Sequence, residues 1–159
     1  MEFSRPTGCL ILACGNPLRG DDGVGLWLAA WAEERFRDEP GVRVIACQQW
    51  GPELAEEVAL AQLVLFLDLS LESAAGAIEI AQVAPGQQRA GLSTHHLNPS
   101  ELLGLTKELY TSLPRHSVLL TVGAGSAELR EGLSAAVSAA LPEACARIEE
   151  IVEKKTQEP

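Results

Sequence analysis

The sequence predicts an α/β fold of three layers: a mostly parallel five-stranded sheet with one antiparallel strand and helices on both faces. Three observations carry this. Short apolar runs alternate along the chain with stretches of helical periodicity. The run Leu63-Val64-Leu65-Phe66-Leu67 is continuously apolar, as a central parallel strand buried on both faces must be. The stretch after it is reached through a link too short for a crossover helix, so that strand is antiparallel.

The first strand is Cys9-Leu10-Ile11-Leu12-Ala13-Cys14. It runs into Gly15-Asn16-Pro17-Leu18-Arg19-Gly20-Asp21-Asp22-Gly23-Val24-Gly25, a glycine-rich turn into a helix. In that helix Val24, Trp27, Leu28 and Trp31 recur at the spacing of one face. A Pro40-Gly41 turn precedes the second strand, Val42 to Cys47. After the loop Gln48-Gln49-Trp50-Gly51-Pro52, Pro52 suits the first turn of a helix over roughly Glu53 to Leu60. The third strand, Leu63 to Leu67, leads straight into Asp68.

The stretch from Gly76 to Val83 alternates imperfectly and predicts a half-exposed strand at or near an edge. A polar loop from Pro85 to Leu92 leads to Ser93-Thr94-His95-His96-Leu97-Asn98-Pro99, and a helix over about Ser100 to Tyr110 follows. Val118 to Gly123 is the last strand. The C-terminal helix places Leu133, Val137, Leu141, Ala144 or Cys145, Ile148 and Val152 on one face, with a kink or break expected at Pro142. From about residue 150 the chain is expected to fray, and no linker divides residues 1–159 into more than one domain.

Composition narrows the partners. A hydrophobic content of 47% fits a globular chain. A formal charge of −10 opposes nucleic acid, whose binding rests on Lys and Arg neutralising phosphates, and equally opposes an anionic membrane surface. Cys9, Cys14, Cys47 and Cys145 form no C-x-x-C pair, so reduced thiols and a cytoplasmic location are expected. Ile11-Leu12-Ala13-Cys14 mimics a lipoprotein cleavage site, but the apolar region before it is short and a basic start is missing. No apolar run has the length of a membrane span, and a monomer is expected.

A glycine-rich strand-to-helix turn commonly binds phosphate. Here the glycine spacing matches neither the dinucleotide fingerprint nor the P-loop, and Asp21 and Asp22 would repel a phosphate. Asp21 can serve as a plain N-cap, which leaves Asp22 as the functional candidate. Ligands in such folds bind beyond the carboxyl ends of the strands, where strand order reverses. With the first strand between the second and third, Asp22 and Asp68 face each other across that crevice. Two carboxylates joined by one of His95 and His96 suit a divalent transition metal, with affinity rising toward nickel and copper.

On these residues the sequence resembles the maturation endopeptidases of nickel–iron hydrogenases. The resemblance covers almost the whole chain. It rests on the motif from Gly15 to Gly25, the strand ending in Asp68, and Ser93-Thr94-His95-His96-Leu97 before a helix. The Trp50-Gly51-Pro52-Glu53-Leu54 loop and Leu120-Thr121-Val122-Gly123 also fit. Two departures stand out: Ala13 replaces a frequent glycine, and some members carry Glu where this chain has the shorter Asp22.

The resemblance implies a peptidase of aspartic, nickel-dependent type. Its partner is the hydrogenase large-subunit precursor, from which it removes a C-terminal extension after nickel insertion. It further implies that Asp22, Asp68 and His95 contact nickel carried by the substrate, with no permanently bound catalytic metal. The alternative is a non-catalytic nickel-binding or carrier protein using the same residues. A nucleophilic hydrolase built on Ser93 or Cys14 ranks below both, because no nucleophile-flanking signature is present.

Overall fold

The computed structural model describes residues 7–86, 97–125 and 132–156. Strand β1 (Thr7–Cys14) leads through a 3-10 turn (Gly20–Gly23) into helix α1 (Val24–Arg35) and strand β2 (Val42–Cys47). A second 3-10 turn (Pro52–Leu54) opens α2 (Ala55–Leu60), followed by β3 (Ala61–Ser70) and β4 (Ile78–Gln82). Helix α3 (Pro99–Tyr110), strand β5 (His116–Gly123) and helix α4 (Ala135–Thr156) complete the chain.

The sheet order is β2-β1-β3-β5-β4, so the strand order reverses between β1 and β3 as expected. β1 pairs in parallel with β2 and β3, and β3 with β5, while β4 runs antiparallel to β5 at the edge. Burial explains the layers. Along β1 and β3 successive side chains enter opposite cores. Ile11, Leu65 and Leu67 meet α1 and α4 on one face, and Leu10, Leu12 and Phe66 meet α2 and α3 on the other. Leu63 to Leu67 is buried throughout, as an unbroken apolar run requires.

Three expectations change in detail. The buried stripe of α1 is Val24, Gly25, Leu28, Ala29 and Ala32, whereas Trp27 is 43% exposed and Trp31 only half-buried. Small residues make the contact because the helix crosses the end of β1 closely: a Cβ on Gly25 would lie 2.3 Å from the Cys14 carbonyl oxygen. Helix α4 is not broken at Pro142. The proline is exposed, and so is Ser138, whose carbonyl loses its helical donor there and can bond to water. Finally, α4 runs to Thr156 with Val152 buried, so fraying does not begin at about residue 150. No helix among the described residues is long and apolar enough to cross a membrane.

Candidate functional site at the carboxyl ends of β1 and β3

Asp22 is set by the turn that follows β1. Gly15 has no room for a side chain, since a Cβ there would lie 2.0 Å from the Asp22 carbonyl oxygen. The chain therefore folds back tightly, and the Asn16 N–H donates to both the Asp22 carbonyl (3.2 Å) and Asp22 Oδ2 (2.9 Å). Asn16 Oδ1 in turn accepts from the Leu18 N–H at 3.0 Å, closing an Asx turn. The Asp22 side chain is half-buried.

Asp68 lies two residues before the end of β3, half-buried, with Oδ1 accepting the Leu69 N–H at 2.8 Å. Ala13 of β1 stands beside Leu67 of β3, so continuing that register by one residue sets Cys14 beside Asp68. Adjacent strands are about 4.8 Å apart. The Cys14 thiol reports the convergence. Burial pushes it up to about 12, and the charges of Asp68, then Cys47, then Asp22 push in the same direction. Both carboxylates thus act on one atom at the end of β1. Cys14 Sγ donates to the Gln48 carbonyl at 3.1 Å and is protonated at neutral pH, which removes it as a nucleophile.

Asp21 has a role that local sequence does not disclose. Neither the 3-10 turn nor α1 has a side-chain N-cap, so Asp21 does not cap the helix that follows it. Its carboxylate is wholly buried and reaches across the fold. Oδ2 accepts the Gly125 N–H at 2.8 Å, just after β5, and Oδ1 accepts the Ser134 N–H at 2.6 Å, just before α4. The first motif is thereby tied to the entry of α4, at the same end of the sheet. Partners 104 and 113 residues away leave no periodic signal.

His95, His96 and Ser93 lie outside the described residues. Leu97, the next described residue, donates its N–H to the Trp50 carbonyl at 3.0 Å in the loop after β2. Trp50 is buried edge-on to Phe66, with ring centroids 5.2 Å apart. Asn98 then forms a capping box with Glu101 (2.8 and 3.2 Å), and Pro99 opens α3. Leu97 is thus held at the carboxyl end of the sheet. Among the described residues no three His, Cys, Asp or Glu side chains are grouped to hold a metal ion. Asp22 and Asp68 are the two members of the expected trio that the described residues bring together.

No family model matches the sequence, and neither does any curated protein. Solved structures do. The [NiFe] hydrogenase maturation protease HycI from Thermococcus kodakarensis aligns with 27% identity and a TM-score of 0.68, covering 92% of this chain and 93% of that one. HybD from the same organism aligns with 25% identity and a TM-score of 0.66, covering 92% and 99%. The hydrogenase maturating endopeptidase HybD from E. coli gives 21% identity and a TM-score of 0.70, covering 93% and 94%. The resemblance to the nickel–iron hydrogenase maturation proteases read from the sequence therefore extends to the three-dimensional fold over more than nine-tenths of the chain.

Proposed function

We propose that this protein is an endopeptidase that removes the C-terminal extension of a nickel–iron hydrogenase large-subunit precursor once nickel has been inserted. The observation that carries the reading is the convergence of Asp22 and Asp68 at the reversal of strand order between β1 and β3. Structural similarity to proteins named as maturation proteases supports it.

In this reading Asp22, Asp68 and His95 contact nickel that arrives with the substrate. The metal fixes the register of the precursor, and water attacks the scissile carbonyl beside it. Asp22 Oδ2 accepts the Asn16 N–H and Asp68 Oδ1 the Leu69 N–H, and a carboxylate offers further lone pairs on its two oxygens for a cation or a proton. The short arm of Asp22 on a tightly folded turn gives that contact little play. The protein acts on a polypeptide, carries no resident metal, and works as a cytoplasmic monomer.

The test is incubation with nickel-loaded and nickel-free precursor, read by intact mass. The loaded precursor is shortened and the empty one is not. A protein that binds nickel tightly and cuts neither precursor is the carrier instead.

A further inference from the structure

Large apolar side chains left in water are unevenly placed on this molecule. Among the described residues they are Leu18, Trp27, Leu71, Leu109 and Tyr110. Leu109 and Tyr110 end α3. The other three surround the candidate site: Leu18 precedes Asp22 in the same turn, Trp27 is in the first turn of α1, and Leu71 follows Asp68 just past β3. Leu71 is 73% exposed and Leu18 59%. Between the turn and the entry of α4 lies an open cavity of about 340 Å³, whose walls include Pro17, Gly20, Gly23, Trp27 and Leu133. That volume is at the lower end for ligand sites and has room for a bulky side chain.

We infer that this groove seats a large apolar side chain of the polypeptide substrate, a few residues from the bond that is cut. The inference rests on the proposed endopeptidase reading and adds a specificity contact to it. Its first support is continuity. Gly23 follows Asp22 directly, so the groove begins about 3.8 Å along the backbone from the carboxylate-bearing residue. An extended peptide advances about 3.3–3.6 Å per residue. A substrate cut beside Asp22 and running in extended form over this turn then has a side chain within a few residues of the cut that can reach the Trp27 wall.

The second support is the lining. Trp27 offers a rigid, amphipathic surface, the kind that carries binding energy at protein interfaces. It is also the large residue that the small-residue face of α1 leaves unburied.

The test compares wild type, Trp27→Ser and Tyr110→Ser on nickel-loaded precursor, with sedimentation of each to read oligomeric state. Trp27→Ser raises KM by about tenfold or more while kcat stays within about twofold. Tyr110→Ser, at the far end of α3, matches wild type. A precursor whose apolar residues near the cleavage point are changed to serine shows the same rise in KM with wild type and no further rise with Trp27→Ser. Unchanged KM for Trp27→Ser overturns the inference. So does a shift of Trp27→Ser from dimer to monomer, which assigns the groove to a second copy of this chain. If wild type leaves the precursor intact, the endopeptidase reading fails, and calorimetric binding of the same precursor decides the groove separately. Weaker binding by Trp27→Ser upholds it, and equal binding overturns it.

Discussion

Replacing Asp21 tests whether the first motif is clamped to α4 through a buried carboxylate. The two hydrogen bonds from Gly125 and Ser134, at 2.8 and 2.6 Å, are both accepted by an ionised group. Each such bond contributes about 1.5–3 kcal/mol. Asp21→Asn keeps one acceptor and turns an NH2 group toward the other N–H, so it costs about 2 kcal/mol, near the low end because Gly125 is exposed to water. Asp21→Ala loses both bonds and costs about 3–5 kcal/mol.

For a chain of this size 1 kcal/mol lowers Tm by about 2–4 °C. Asp21→Asn therefore melts about 4–8 °C below wild type and Asp21→Ala about 6–20 °C below. Because the carboxylate adjoins Asp22, both variants also lose part of the cleavage activity at temperatures where they remain folded. Differential scanning calorimetry reads the first effect and precursor cleavage the second. An Asp21→Asn variant that melts within about 1 °C of wild type refutes the clamp.

Three further outcomes are expected. His95→Ala stops precursor processing while His96→Ala retains most of it, because the resemblance aligns His95 with the metal contact; the reverse result, read on one precursor preparation, moves the site to His96. The Cys14 thiol rises from an ordinary 9.0 to about 12 on folding, so its contribution to stability is complete below pH 9 and is lost as pH rises toward 12. Urea unfolding at pH 8 and pH 10.5 then shows a smaller alkaline loss for Cys14→Ala than for wild type, and that variant still processes precursor. The isolated protein binds nickel weakly by calorimetry, because two Asp and one His leave the remaining positions to solvent or substrate; tight stoichiometric binding without cleavage of loaded precursor supports a carrier.

The features legible in the sequence are those set by local pattern. Leu63 to Leu67 announces a strand covered on both faces, and the short link after β3 forces β4 to run antiparallel at the edge. Placing β1 between β2 and β3 puts the reversal of strand order where the turn carrying Asp22 and the strand end carrying Asp68 lie, and the strand order is the one expected. What local pattern misses depends on distant partners. Asp21 looks like a cap for its own helix, yet it serves the entry of another. Trp27 fits an apolar face by spacing, yet Gly25, Ala29 and Ala32 allow an approach too close for an indole. Pro142 suggests a kink or a break, yet the helix is not broken there, and the exposed side of the proline leaves the Ser138 carbonyl open to water.

In the proposed function Asp22 and Asp68 act together on a substrate that carries nickel. Intact mass of the nickel-loaded precursor after incubation with wild type, Asp22→Asn and Asp68→Asn tests it most directly. A shortened precursor is expected with wild type alone, full-length precursor with either variant at near wild-type Tm, and no cleavage of nickel-free precursor by any of them. Shortening by either variant, or of the nickel-free precursor by wild type, contradicts it.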